Sequence, residues 1–131
     1  MTIFFVHGIH TSDKDNVTAK LAPAFRQVCD EDVMVWKYGY ALALTTGLTD
    51  FLNERRAAKL AKLVKPGDSI VAHSNGCAIA YLLQSEYVPL DCLILVQPAL
   101  DSWRTFDNVR KVLVLYNEDD EVVAASTFGF C

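Results

Sequence analysis

The chain has 131 residues, of which 52% are hydrophobic and 21% charged, and carries a formal net charge of −4. That length suits one folded domain around a single core, and that composition excludes a disordered acidic or basic tail. The basic residues form no stripe able to neutralise a run of phosphates, so nucleic acid is not an expected partner.

Taken in chain order, the first apolar run is Thr2 to Val6, inside TIFFVHGIH. It is far shorter than a membrane span or a signal h-region. It also lacks a basic n-region and a small-residue cleavage site, so no membrane span and a cytoplasmic location are expected. Helical periodicity follows over Asn16 to Cys29, then a second apolar run over Val33 to Trp36. The stretch Gly39 to Gly47 is apolar between glycines and reads either as core or as the wall of a pocket.

A second helix is predicted over roughly Thr49 to Val64, with Arg55, Arg56, Lys59 and Lys62 at the spacing of one solvated face. Lys65-Pro66-Gly67-Asp68 ends it and turns the chain into a third apolar run, Ser69 to Ala72. A third helix over Gly76 to Glu86 and a fourth run over Cys92 to Val96 come next. Between Gln97 and Val109, Pro98 and Trp103 suggest loop plus a turn or two of helix before the fifth run, Lys111 to Tyr116. Apolarity that is continuous rather than alternating belongs to strands covered on both faces. The expected architecture is therefore α/β: a single three-layer α/β/α domain spanning residues 1–131, with about five mainly parallel strands. Cys29, Cys77, Cys92 and Cys131 show no metal-ligand spacing, and neither a metal, a cofactor nor a disulfide is expected. Cys77 reads as packing at a helix start, where the helix N-terminus would lower its thiol pKa.

In a wound sheet the chemistry collects beyond the carboxyl ends of the strands. The residues found there are His7-Gly8-Ile9-His10, His73-Ser74-Asn75-Gly76, Gln97-Pro98, and Asn117-Glu118-Asp119-Asp120. A serine on a tight strand-to-helix turn is lifted clear of the sheet, and the following helix aims its positive end at any oxyanion formed beside it. The bland alternative is that Ser74 simply caps that helix. His7 is expected to shape its loop by hydrogen bonding, and His73 to point away from its neighbour Ser74.

Ala72-His73-Ser74-Asn75-Gly76 after a strand, His7-Gly8 after an earlier one, and Leu115-Tyr-Asn-Glu-Asp-Asp-Glu-Val-Val123 at the end of a later one resemble the α/β-hydrolase family. Ala72 stands where that family usually has glycine, the smallest departure a side chain can make. The resemblance runs from the family's third strand to its seventh, without its first strands. It implies the strand order 4-3-5-6-7 in the family's numbering. It also implies a serine hydrolase acting on a small ester, thioester or other acyl compound through an acyl-enzyme on Ser74. The backbone N–H groups of Ile9 and Asn75 would form the oxyanion hole, and Asp120, or Asp119 beside it, would be the acid.

The family takes its catalytic histidine from a loop after its last strand, and this sequence has no histidine beyond His73. Three expectations follow. The histidine comes from a complementing C-terminal segment or another subunit, as in a homodimer; or His10 serves as an unorthodox base; or the protein is a hydrolase-like binding or scaffold protein of little activity. Loops Gly39 to Gly47 and Gln97 to Phe106 would set selectivity.

Overall fold

The structure is a computed structural model that describes residues 1–8, 17–36, 38, 46–100 and 104–115. Five strands, β1 (Thr2–Val6), β2 (Asp32–Trp36), β3 (Ser69–His73), β4 (Leu90–Val96) and β5 (Val109–Leu115), form one sheet in the order β2-β1-β3-β4-β5. All four neighbouring pairs are parallel. This is the order expected from the sequence. Three helices, α1 (Val17–Val28), α2 (Thr46–Leu60) and α3 (Asn75–Glu86), make the crossovers.

The continuous apolar runs are explained by the two cores. Phe4 and Val6 of β1, Ile70 and Ala72 of β3, and Leu93 and Leu95 of β4 join Ala57 and Leu60 of α2 and Cys77, Ile79, Ala80 and Leu83 of α3 in one buried cluster. The alternate residues Ile3, Phe5 and Val71 pack on the opposite face with Ala22 and Phe25 of α1. There the Phe5 and Phe25 rings meet edge to face, with centroids 5.1 Å apart. Strand residues on both faces are thus removed from water, which is why no polar alternation appears in the sequence. At the edge of the sheet β5 is different: Leu113 and Leu115 remain 48% and 49% exposed among the described residues.

Hydrogen-bonded turns carry the chain beyond α2, with Val64 N–H donating to Leu60 O at 3.1 Å, so the region expected to be helical tightens rather than stops at Leu60. The described residues between Gln97 and Val109 contain no helix; Gln97 takes positive φ at the exit of β4, and a turn at Asp107–Asn108 leads into β5. Residues 101–103, with Trp103, lie outside the described residues. No helix among the described residues is long and apolar enough to cross a membrane.

Asp68 ties the amino edge together. Its buried carboxylate accepts from the Thr2 N–H at the start of β1 (2.9 Å) and from the Lys65 N–H in the turn before β3 (2.9 Å). Hydrogen bonds to an ionised acceptor contribute more than neutral ones, and Asp68→Ala strands both donors. Its expected cost is about 2 kcal/mol, read as a lowered urea midpoint with an unchanged m-value.

Winding reverses at β1: the chain first steps to β2 with α1 on one face, then returns past β1 to β3 with α2 and α3 on the other. The carboxyl ends of β1 and β3 are therefore adjacent at a topological switch point, the place where loops diverge and leave a crevice. His7-Gly8 and His73-Ser74 arrive there together.

Candidate active site

Ser74 joins β3 to α3 with φ 52° and ψ −117°. A side chain at positive φ crowds its own backbone and costs on the order of 1–3 kcal/mol unless the surroundings enforce it. Here they do. The Ser74 N–H donates to Val96 O at 2.9 Å, and Ser74 O accepts from the Cys77 N–H at 3.0 Å and the Ala99 N–H at 3.2 Å. The Ser74 side chain makes no capping hydrogen bond to α3, so the helix-cap reading of this serine is set aside. Ser74 is half-buried at the N-terminus of α3, where the helix dipole favours negative charge.

Two glycines allow this turn to sit so close to β1. A Cβ on Gly76 would lie 2.5 Å from Val6 O and 2.6 Å from His7 O. A Cβ on Gly8 would lie 3.0 Å from Ser74 Cβ and 3.2 Å from His73 O. The exit of β1 is thus in contact with the serine turn itself.

Side chains fix both partners. Asn75, the first residue of α3, is 6% exposed and forms a reciprocal amide pair with Asn53 of α2, which is 2% exposed. Asn53 Nδ2 donates to Asn75 Oδ1 at 2.9 Å, and Asn75 Nδ2 to Asn53 Oδ1 at 3.0 Å. At the end of β1, the Tyr38 hydroxyl donates to His7 O at 2.6 Å and to Gly8 O at 3.3 Å. The Tyr38 ring stacks on the fully buried His7 imidazole, with centroids 3.9 Å apart and planes within 5°. His7 Nδ1 donates to Gly8 O at 2.9 Å, which is the loop-shaping role expected of it. Arg56 of α2 lies over the Tyr38 ring at 4.9 Å, and its Nη1 donates to Asn53 Oδ1 at 3.2 Å.

Arg56 corrects the expectation of a uniformly solvated basic face. Arg55, Lys59 and Lys62 are exposed, but Arg56 turns inward to the tyrosine and asparagine. Tyr38 and Asn53 were not singled out in the sequence. Asn53 did carry a signal, since it shares the inner face of α2 with Ala57 and Leu60, four and seven residues on, and a polar residue in such a row needs a buried partner.

Cys77 packs in the main core, as expected of it, but its thiol does not have the lowered pKa expected at a helix start. The position near a helix N-terminus suggested an acidified thiol, but complete burial pushes the thiol well above its ordinary value, outweighing backbone hydrogen bonds that lower it. Its Sγ faces Ala72 O at 3.4 Å. The unfolded thiol ionises near pH 9 while the native one stays protonated, so the native state binds more protons there and loses stability as pH rises. The expected decline is up to about 1.4 kcal/mol per pH unit above pH 9. Urea midpoints between pH 8 and 10 should fall less steeply in Cys77→Ala.

Gln97, at the carboxyl end of β4, also has positive φ, 45°, and its N–H donates to Leu115 O at 2.6 Å. A cavity of about 290 Å³ between α2 and α3 is walled by Asp50, Asn53, Glu54, Tyr81 and Arg104 among others. Neither Ser74 nor Gly8 lines it, so it is separate from the serine turn. Of the residues expected at the site, Ser74 is brought against Gly8, and Asn75 follows it as the first residue of α3. Ile9, His10, Asp119 and Asp120 lie outside the described residues, as do residues 39–45 of the apolar stretch.

No family model matches the chain, and no curated protein matches it by sequence. Among solved structures it is similar to the crystal structure of the ydeN gene product from B. subtilis, with a TM-score of 0.70 and 16% sequence identity. The match covers 97% of this chain and 77% of that one. The likeness is one of fold, an α/β domain built on a mainly parallel sheet.

Proposed function

We propose that the protein is a serine hydrolase of the α/β-hydrolase type that cleaves a small ester, thioester or related acyl compound through an acyl-enzyme on Ser74. The observation that carries this reading is the backbone of Ser74 at φ 52° and ψ −117°, held by three main-chain hydrogen bonds while its hydroxyl caps nothing. Strain of this kind persists only where the surrounding structure over-determines the backbone, and it clusters at active sites. The Ser74 oxygen attacks the acyl carbon and its proton passes to a base, either His10 or a histidine supplied by another segment or subunit. The carbonyl oxygen takes the negative charge and accepts hydrogen bonds from main-chain N–H groups, those of Asn75 and Ile9. As the first residue of α3, Asn75 has an N–H with no intrahelical acceptor. The alcohol or thiol leaves, and water then releases the acid. Asp120, or Asp119, would orient the base. No cofactor or metal is required by this chemistry.

A binding or scaffold role is the second reading. What favours it is His7, the histidine closest in sequence to Gly8, which is buried under Tyr38 with Nδ1 committed to a carbonyl and so serves as a strut. A fluorophosphonate probe separates the two. An activated serine is labelled, with the adduct mapping to Ser74, whereas a folded protein that resists the probe is a binding module.

A further inference from the structure

The start of α3 and the exit of β1 meet at the serine turn, and each is held by a side chain from a distant part of the sequence, Asn53 of α2 and Tyr38 beyond β2. On the α3 side, Asn53 grips the Asn75 side chain through two hydrogen bonds. On the β1 side, the Tyr38 hydroxyl grips the carbonyls of His7 and Gly8. Arg56, one turn along α2 from Asn53, joins the two grips by bonding Asn53 Oδ1 and lying over the Tyr38 ring. Asn53 and Asn75 are 22 residues apart in sequence and Tyr38 and His7 are 31 apart, so no local turn preference accounts for this convergence.

We propose that Asn53, Arg56 and Tyr38 act as one positioning relay that holds the start of α3 and the exit of β1 in place at the serine turn and so aligns the Asn75 N–H as an oxyanion donor beside Ser74. The relay rests on the reading of Ser74 as a nucleophile. Donors stabilise an oxyanion only when they are already aimed at its position, about 2.7–3.1 Å away, and small displacements are costly in rate. Peptide groups in a loop drift unless their carbonyls are held, and the Tyr38 hydroxyl, together with His7 Nδ1, holds that of Gly8. The buried amide pair holds the first turn of α3 in the same way. Arg56 links the two, because a shift of its guanidinium disturbs a hydrogen bond on one side and a ring contact on the other.

The test follows the kinetics of Ser74 labelling by a fluorophosphonate in the full chain. The amplitude measures the folded, competent fraction; the second-order rate constant measures alignment. Tyr38→Phe keeps the ring and removes the hydroxyl, and is expected to lower the rate constant by roughly tenfold or more at unchanged amplitude. Arg56→Met is expected to act in the same direction, with Arg56→Lys partly restoring the rate. Because the residues act as a unit, Tyr38→Phe combined with Arg56→Met should be little slower than the slower single variant. With an ester substrate, kcat falls while KM holds. Packing alone would reduce amplitude and leave the rate constant at the wild-type value, and that result, in Tyr38→Phe or in Arg56→Met should the former not fold, overturns the relay while leaving the hydrolase reading intact. A folded wild-type chain that does not label overturns both.

Discussion

Ser74→Ala is expected to lose fluorophosphonate labelling altogether and to reduce ester turnover by about a thousandfold or more, down to whatever rate the remaining donors and substrate binding sustain. The size of the loss follows from the chemistry, since an acyl-enzyme on Ser74 cannot form without its oxygen. The stability of the same position should move the other way. A residue at φ 52° and ψ −117° is strained by its Cβ, and glycine is not. Ser74→Gly is therefore expected to raise stability by about 1 kcal/mol after the extra chain entropy of glycine is subtracted, while abolishing labelling. Calorimetry and labelling on one pair of variants read both effects. Labelling of Ser74→Ala at the wild-type level would remove the nucleophile assignment.

Gly76→Ala should be the most damaging alanine substitution among the described glycines. The added carbon would stand 2.5 Å from Val6 O and 2.6 Å from His7 O, and both are main-chain atoms in a buried strand end rather than flexible tips. Relief requires α3 to back away from β1. Overpacking of this kind costs about 3 kcal/mol, on the order of 10 °C in Tm for a domain of this size. The separation also breaks the approach of Ser74 to Gly8, so labelling slows in the fraction that stays folded. Gly47→Ala provides the control: nothing lies within 4 Å of its Cβ position near the start of α2, and the change should be neutral or stabilise slightly through helix propensity. Equal Tm losses in the two variants would mean that the close approach of α3 to β1 has no energetic weight.

Much of the architecture was legible because it depends on short-range patterning. The run Phe4-Phe5-Val6 is apolar at every position since alternate residues enter different cores, and the same logic marked β3 and β4. Boundaries were less legible. α2 begins at Thr46, three residues before the apolar periodicity suggests, and β4 begins at Leu90, where Asp91 interrupts the apolar run. Asp91 is accommodated there by pairing with Arg110 on the neighbouring strand β5, an ion pair that holds its carboxyl below the usual carboxylate range. A charge in a strand is readable only when its cross-strand partner is known.

From the residues themselves came the segments that cross the sheet, the coverage of both its faces, and a serine at a junction between strand and helix with glycine two positions on. The tertiary structure alone decided how that serine is used: that its backbone is forced to positive φ, that its side chain does not cap α3, that His7 is a strut, and that Arg56 leaves the solvated face to meet Tyr38 and Asn53. The reason lies in range. Apolar periodicity is written within a few consecutive residues, because it reflects which face of one element meets water. The strained turn and its bracing depend on which strands become neighbours, and the pairing of β1 with β3 brings Gly8 against Ser74 across more than sixty residues of chain.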